Sequence, residues 1–247
     1  GLNEAYDKMR IAYENGFRRC GLDFSVVEAE SGPIGGSASH EFMVNTDSGE
    51  DTILVCSSTG YAANVEKCAI GPREWSFGGE PTGQLEKAHT PDMPGIEAVG
   101  RHLKVKPKNM LKTIVFHLTQ REAGEPGAFA LAVVRGDHEV NEGKVRDAIG
   151  EPVAVAGEVE ARAAGFTIGY VSPRAVVSGR TSEACSVMLV DPDAAQGTDA
   201  SAGKSMFWAA GADERDHHVK HFNWRREIGD ALDDPSKVRV VDLRNAE

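Results

Sequence analysis

The sequence predicts a mixed α/β protein with two structured regions. The first 70 residues combine one amphipathic helical pattern with short strand-like runs. From residue 96 onward, buried strand-like runs alternate with short helical patterns, as expected for a mixed α/β domain. The chain has 247 residues, 40% of them hydrophobic and 26% charged. These values are ordinary for a soluble globular protein and allow one large or two modest domains.

The first region begins with an amphipathic helix. Apolar residues recur at helical spacing through residues 3–19, and Gly21 stands where the last turn would stop. Three apolar and β-branched runs follow and predict an antiparallel sheet against which the helix packs. The predicted strands are residues 24–30, 41–46 and 52–56.

Residues 31–44, SGPIGGSASHEFMV, predict a glycine-rich turn between two strands. Glycine permits backbone angles that other residues avoid and proline fixes one dihedral, so this turn should have a defined shape. Ser39, His40 and Glu41 follow the turn and present a hydroxyl, an imidazole and a carboxylate. From composition alone, the better interpretation is a tight hairpin with a solvated polar edge.

Prolines and glycines are concentrated between residues 71 and 95, which we interpret as a linker or domain boundary. The pattern beyond it predicts a mixed α/β domain of about 130 to 150 residues. Asn141 is placed to cap one of its helices. The predicted helices are 96–103, 142–149 and 158–164, and the predicted strands are 114–118, 129–134, 175–177 and 186–190. A closing strand at 239–243 is expected to return to the first sheet.

The formal net charge of −11 argues against general nucleic-acid binding, which needs local lysine or arginine. One basic run interrupts this acidic chain. It is either a solvated helix face or a surface that receives the end of a tRNA. Its members are Arg101, Lys104, Lys106, Lys108 and Lys112.

The four cysteines are widely spaced and form no CxxC pair, which argues against a zinc ribbon or a disulfide framework. The sequence contains no apolar run long enough to cross a bilayer, and its first residues lack a signal-peptide pattern. We therefore expect a cytoplasmic protein. The cysteines are Cys20, Cys56, Cys68 and Cys185.

The run GLDFSVVEAESGPIGGSASHEFMV, with SGED at 48–51 and YAANVEK at 61–67, resembles the catalytic core of bacterial-type prolyl-tRNA synthetases downstream of class II motif 2. The resemblance is long and nearly free of gaps. It implies that the first region is part of a class II antiparallel sheet with helices. It also implies that Ser39, His40 and Glu41 belong to the substrate-binding pocket for aminoacylation.

Two later runs, KNMLKTIVF at 108–116 and VRGDHEVNEGKV at 134–145, resemble the editing domain inserted between motifs 2 and 3 of the same family. That domain is related to free-standing YbaK-like deacylases and removes alanine from the proline tRNA. GFTIGYVSP at 165–173 contains the GxxxP pattern of this superfamily. The resemblance implies a catalytic set consisting of Lys112, Gly169, Pro173, Asp191 and His218.

Each of these residues also has a structural interpretation. Asp191 can be a strand-ending turn residue, Asp193 competes with it for the same match, and GxxxP is commonly just a turn. His217 and His221, four residues apart, could share a helical face and bind a metal. We reject that interpretation because the sequence contains no further ligand cluster or recognised zinc spacing, and we predict no metal site.

The resemblance implies four segments: a partial catalytic core at 1–71, a linker at 72–95, the editing domain at 96–224 and a return to the catalytic core at 225–247. The family ligates proline to tRNA(Pro) with ATP and Mg²⁺, edits alanyl-tRNA(Pro) without a cofactor and is dimeric at full length. Because motif 3 and the anticodon-binding domain are not recognisable, we expect this fragment to retain at most editing. The alternatives are a stand-alone aminoacyl-tRNA deacylase and a non-catalytic tRNA-binding paralogue.

Overall fold

The computed structural model describes residues 1–29, 39–93, 95–197 and 207–246. These residues divide into two compact units. The first unit contains Gly1–Ala69 and Asn245–Glu247, and the second contains Ile70–Arg244. Among the described helices, none is both long and apolar enough to cross a membrane.

The first unit consists of one helix and a four-stranded sheet in the order β2-β1-β4-β3. β1 pairs antiparallel with β2, as predicted for the strands beside the turn, but parallel with β4, so the sheet is mixed rather than antiparallel throughout. The short run that forms β4 has no strand-like pattern in the sequence, and tertiary pairing alone makes it a strand. The elements are α1 (Leu2–Arg19), β1 (Phe24–Glu28), β2 (His40–Val44), β3 (Ile53–Val55) and β4 (Ala62–Asn64).

Aromatic side chains join α1 to its sheet, as the helical pattern predicted. The Phe42 ring on β2 lies 5.3 Å from the Phe17 ring and 5.8 Å from the Tyr13 ring of α1. The Phe24 ring on β1 completes the cluster, 5.8 Å from Phe17. No residue of α1 is buried, however. The predicted glycine-rich turn at 31–38 lies outside the described residues.

The second unit contains a five-stranded sheet in the order β12-β9-β7-β6-β8 and a three-stranded sheet in the order β10-β11-β5. Single-turn 3-10 helices follow α2 and α6, and another precedes α5. The strands are β5 (Glu86–His89), β6 (Leu111–Leu118), β7 (Phe129–Arg135), β8 (Val153–Val155), β9 (Cys185–Val190), β10 (Trp208–Gly211), β11 (His217–Phe222) and β12 (Val238–Val240). The helices are α2 (Gly95–Leu103), α3 (Glu142–Ile149), α4 (Glu158–Ala163), α5 (Gly179–Ala184) and α6 (Trp224–Ile228).

The centre of the five-stranded sheet is β7, whose run FALAVV is completely buried because both faces of the sheet are covered. β7 pairs antiparallel with β6 and parallel with β9. The capping predicted for α3 is confirmed: the Asn141 side chain accepts a hydrogen bond from the Lys144 amide, and Gly150 ends the helix at φ +83°. Strong local signals therefore produced the expected elements.

Two local predictions for the second unit are wrong. Residues 72–95 are not a linker, since Phe77 is 3% exposed in the core and β5 pairs with β11. Residues 173–176 form a 3-10 helix where a strand was predicted at 175–177, because Pro173 fixes a helical φ at the first position. The helical face considered for His217 and His221 does not form, since both residues lie in strand β11.

The closing strand also differs from its prediction. β12 does not return to the first sheet but pairs parallel with β9, with Arg239 opposite Leu189. The Asp191 carboxylate then accepts a hydrogen bond from the Leu243 amide, which holds the segment after β12 against the end of β9. The second unit therefore extends to residue 244, and of the predicted return at 225–247 only Asn245–Glu247 belongs to the first unit.

Candidate active site

A cavity of about 220 Å³ opens in the second unit between α2, the start of β6, the GxxxP loop and the ends of β10 and β11. Three of the five predicted catalytic residues line it, namely Lys112, Gly169 and His218. Much of the remaining wall consists of aliphatic and methionine side chains. These are Met93, Ile96, Val99, Met110, Leu111 and Val171.

Lys112 lies at the second position of β6, directly after the buried Leu111. Its side chain is only 19% exposed, and its Nζ donates a hydrogen bond to Glu139 Oε1 at 2.8 Å. The Glu139 side chain is 83% exposed. An ion pair whose acid is so exposed to water is weak, so an anionic ligand can compete for the ammonium group.

His218 lies on β11 and is 8% exposed. Its Nδ1 forms a 2.7 Å hydrogen bond with the Thr90 hydroxyl, which is completely buried. Burial, with a smaller contribution from the charge of His217, lowers the pKa of His218 to about 4. His218 is therefore neutral near pH 7, and because Thr90 engages Nδ1, Nε2 is the nitrogen that remains for a ligand.

Tyr170 supports His218 from the other side. The two rings meet edge to face with centroids 5.6 Å apart. The Tyr170 hydroxyl donates to Asp216 Oδ1 at 2.7 Å, which together with burial raises the pKa of Tyr170. The backbone carbonyl of Asp216 accepts a hydrogen bond from the Thr90 amide. Thr90, Tyr170 and Asp216 thus form one network around the imidazole.

The GxxxP loop, Gly169–Pro173, is held rigidly. Gly169 has φ +88°, a conformation that favours glycine. Asp213 accepts hydrogen bonds from both the amide and the hydroxyl of Ser172, and its own amide donates to the Tyr170 carbonyl. Burial raises the pKa of Asp213, while the bonds from Ser172 oppose that shift. The loop therefore has a preorganised backbone next to the cavity.

Two amides of this loop are engaged inside the protein. The Tyr170 amide donates to the Thr167 carbonyl, and the Ser172 amide donates to Asp213. Proline has no amide hydrogen, so within the described structure the amides of Gly169 and Val171 are left for a ligand. Both residues line the cavity. Pro173 itself is buried at the start of the 3-10 helix and does not line the cavity.

The structure does not bring Asp191 into the cavity. Its side chain is completely buried at the end of β9, where it accepts hydrogen bonds from the amides of Asp193 and Leu243. Burial raises the pKa of Asp191, and these two amides oppose the shift. The observed contacts match the alternative interpretation of Asp191 as a strand-ending turn residue.

Sequence reasoning missed four polar residues of the site, Thr90, Thr113, Tyr170 and Asp216. Thr113 lines the cavity, and its buried Oγ1 has no hydrogen-bond partner in the described part of the chain. Thr90 falls in the segment interpreted as a linker. Local signals were available for two of the four, since the GFTIGYVSP run contains Tyr170 and the KNMLKTIVF run contains Thr113.

The three predicted residues of the first unit are neighbours on or beside β2. The Ser39 carbonyl accepts a hydrogen bond from the Ala29 amide. His40 is half-buried, and its Nδ1 forms a 2.7 Å hydrogen bond with the Tyr6 hydroxyl of α1. Glu41 is exposed. These residues form one polar edge, and their roles in substrate binding stay a prediction.

One group of potential metal ligands exists among the described residues. Atoms of His138, Asp191 and Asp193 lie within 4.8 Å of one another. Two guanidinium groups already contact it: Arg244 donates to Asp193 at 3.0 Å, and Arg135 lies 3.0 Å from His138 Nε2. Because cations occupy these ligand atoms, the group is an ion-pair network and fits a metal poorly.

Residues 90–228 match the family model described as aminoacyl-tRNA editing domain. Among curated proteins, a proline--tRNA ligase of Dehalococcoides mccartyi is 36% identical over 229 residues, covering 92% of this chain and 36% of that protein. A proline--tRNA ligase of Pelobacter propionicus is 38% identical over 247 residues, covering 98% and 38%. The chain thus spans well under half the length of these relatives. A solved structure described as a candidate trans-editing enzyme for prolyl tRNA synthetase superposes with a TM-score of 0.47 at 18% identity, over 66% of this chain and 87% of that one.

Proposed function

The chain belongs to the aminoacyl-tRNA editing domain family, and from this premise we propose that its second unit hydrolyses the ester of mischarged alanyl-tRNA(Pro). The observation that carries the proposal is the convergence of Lys112, Gly169 and His218 on one cavity. These residues are distant in the sequence and differ in chemistry. Together they supply a cation, a preorganised backbone and a neutral imidazole.

The proposed substrate follows from the polarity of the cavity. Its largely aliphatic wall suits a small apolar side chain such as that of alanine. Differences of a methylene or two change binding by only about 1–3 kcal/mol, so a synthetase needs a second, size-based sieve. In this proposal alanine enters the cavity and the ring of proline does not.

In the proposed reaction, water attacks the ester carbonyl carbon and the bond from that carbon to the ribose oxygen breaks. The proton lost by the attacking water ends on the departing ribose oxygen, which becomes a hydroxyl. The amides of Gly169 and Val171 stabilise the negative charge that develops on the carbonyl oxygen. Lys112 exchanges Glu139 for a phosphate or ribose oxygen of the terminal adenosine. The imidazole of His218 is neutral, and its Nε2 orients the water or the amino group.

Asp191 has a structural role in this scheme, because its carboxylate oxygens are engaged by backbone amides. Pro173 acts by fixing the loop rather than by touching the substrate. Thr90 and Tyr170 hold the His218 ring. No residue serves as a covalent nucleophile, so hydrolysis proceeds in one displacement by water.

We further propose that the chain is part of a proline--tRNA ligase, the activity named for the relatives described above. In that enzyme ATP and Mg²⁺ would activate proline, and Ser39, His40 and Glu41 of the first unit would contribute to the proline pocket. The whole enzyme would be a homodimer, while editing would require no cofactor. The competing functions are those of a stand-alone aminoacyl-tRNA deacylase and of a non-catalytic tRNA-binding paralogue.

The test is a deacylation assay with alanyl-, cysteinyl- and prolyl-tRNA(Pro). We expect loss of alanine alone, and a decrease of roughly 100-fold in rate for Lys112→Ala because the substrate loses a charged contact. Lys87→Ala is the control, since Lys87 pairs with Glu214 and does not line the cavity. Equal rates for Lys112→Ala and the wild type would refute the role of Lys112. Hydrolysis of the cysteinyl or prolyl ester instead of the alanyl ester would favour the stand-alone deacylase. Hydrolysis of none of the three esters would favour the non-catalytic tRNA-binding paralogue.

The pH dependence of the same assay tests the state of His218. With a pKa of about 4, the imidazole stays neutral over the physiological range. We therefore expect no inflection from His218 between about pH 5.5 and 8, and a decrease in rate toward pH 4. An inflection near pH 6.5 that disappears in His218→Gln would contradict a buried neutral imidazole.

A further inference from the structure

Four cations lie within residues 101–108, at the end of α2 and in the segment that leads to β6. Arg101, Lys104, Lys106 and Lys108 are all exposed. We call these four residues the cationic strip. The buried residues between them, Leu103 and Val105, anchor the segment to the protein and turn the charged side chains outward.

The strip is electrostatically unusual for this chain. Within the described ranges, no carboxylate lies within 4 Å of any of its four cationic groups, whereas many other cations of the second unit form ion pairs. Glu97, one helical turn before Arg101, is the natural candidate partner and makes no such pair. Paired examples elsewhere include Lys87 with Glu214, Arg162 with Glu158, Lys220 with Glu86 and Arg225 with Asp233. In a chain of formal charge −11, the strip is a local positive surface.

Lys104 also has a backbone conformation that glycine usually adopts. Its φ is +58°, at the position directly after the last residue of α2. A glycine there would relieve the conformational cost of this backbone angle. Its amide donates to the Arg101 carbonyl, which closes the helix and sets the path toward Lys106.

The strip is continuous with the candidate active site. Gly95, Ile96 and Val99 of α2 line the cavity, and so do Met110 and Lys112 on the other side of the strip. A nine-residue helix is about 13 Å long, so its charged end lies roughly one helix length from the end that borders the cavity. A ligand whose terminus enters the cavity would pass along this surface.

We propose that the cationic strip binds the phosphate backbone of the double-stranded acceptor stem of a tRNA while the 3′ end occupies the cavity. This inference rests on the proposed function and adds the surface that holds the rest of the substrate. Exposed lysines and arginines without carboxylate partners neutralise phosphates and release counterions. The strip contains no phenylalanine, tyrosine or tryptophan that could stack on unpaired bases, so its contacts are to the backbone and independent of base sequence.

The experiment measures binding of fluorescently labelled, uncharged tRNA(Pro) by anisotropy at several salt concentrations. In the strip variant, all four residues are replaced by glutamine. We expect Kd to rise roughly 30-fold at low salt, and the slope of log Kd against log salt to decrease by about 3, since each phosphate contact contributes about 0.7 to 0.9. Equal thermal unfolding of both proteins checks that the variant folds.

A matched variant controls for total charge. Replacing Lys87, Arg162, Lys220 and Arg225 with glutamine removes the same four charges, but each of these residues is ion-paired. We expect its Kd to stay within about 3-fold of the wild type. Equal changes of Kd and slope in the two variants would overturn the proposal. The tRNA in this assay carries no aminoacyl ester, so binding is measured independently of hydrolysis. A lack of hydrolysis in the deacylation assay would therefore refute the proposed function without changing this binding result.

Discussion

The two units of this chain bury their hydrophobic residues very differently. In the second unit, two hydrophobic clusters cover the two faces of the five-stranded sheet, and a third packs α2 against the three-stranded sheet. In the first unit, the buried hydrophobic residues among those described are Val27, Ala29, Ala62 and Ala63. Its 18-residue helix buries none.

This difference shows that secondary structure and a hydrophobic core have separate origins. Tyr13 and Phe17 recur with the correct period for a helix, and the helix forms, but Tyr13 is still 51% exposed. An amphipathic pattern describes which face can be buried and not how much surface is available to cover it. The second unit contains that surface within itself, and there the cavity is built.

The largest expected difference between the units concerns their cysteines. Hydrogen bonds, first from the Ser58 side chain, lower the pKa of Cys56 in the first unit to about 6, and burial raises that of Cys185 in the second unit to about 12. At pH 7 the thiolate fractions then differ by roughly 10⁵-fold, and thiolate is the reactive form.

Alkylation with iodoacetamide, followed by peptide mass spectrometry, measures this difference. Modification of Cys56 should increase with pH through a midpoint near 6 and then level off, while Cys185 stays unmodified in the folded protein. Ser58→Ala should move the midpoint upward, because the thiolate loses its principal donor. A Cys56 midpoint near the ordinary value of about 8.5 would contradict the hydrogen-bonded thiolate.

Truncating one phenylalanine in each unit tests the difference in core quality. Phe129 on β7 is fully buried and packs edge to face on Phe166, whereas Phe42 on β2 is only partly buried. Phe129→Ala should lower the free energy of unfolding of the second unit by about 3–5 kcal/mol. Phe42→Ala should cost the first unit only about 1–2 kcal/mol.

Hydrogen exchange of the β7 and β2 amides follows each unit separately, so the two units need not unfold in one transition. Phe129→Leu serves as the milder control for lost volume at the same position. Similar costs for the two alanine variants would show that the first unit has a better core than its exposure indicates.

Replacing one glycine in each unit with alanine extends the comparison of the two units to their backbones. A Cβ at Gly211 would lie 2.2 Å from the Tyr170 carbonyl oxygen, so Gly211→Ala must displace the GxxxP loop. We expect it to cost about 3 kcal/mol and to reduce deacylation. Gly16→Ala in α1 meets nothing within 4 Å and should stabilise that helix by about 0.5–1 kcal/mol.

Thermal unfolding and the deacylation assay measure both effects. Gly71→Ala is the matched control in the second unit, because its Cβ would also meet nothing within 4 Å. If Gly211→Ala unfolded like the wild type and retained its rate, the close packing of β10 on the GxxxP loop would not be needed for the site.

Local signals in the sequence were sufficient for much of the fold. Asn141 and Gly150 delimit α3 as capping rules require, and the apolar run of β7 was identified as a buried strand. β5 was missed because its sequence, EKAH, is polar, and pairing with β11 is what makes it a strand. β12 was assigned to the wrong sheet, because a three-residue strand does not specify its partner.

The sequence by itself determined the family, most of the helices and buried strands, and three residues of the candidate site. These features depend on residues that are close together in the chain or on short motifs that can be recognised in the sequence. Only the tertiary structure decided that Thr90 holds His218, that Asp191 supports a turn, and that the cationic strip has no carboxylate partner among the described residues. Such properties depend on which distant segments meet, since strand pairing brings residues 90, 112, 169 and 218 together from across 128 positions of the chain.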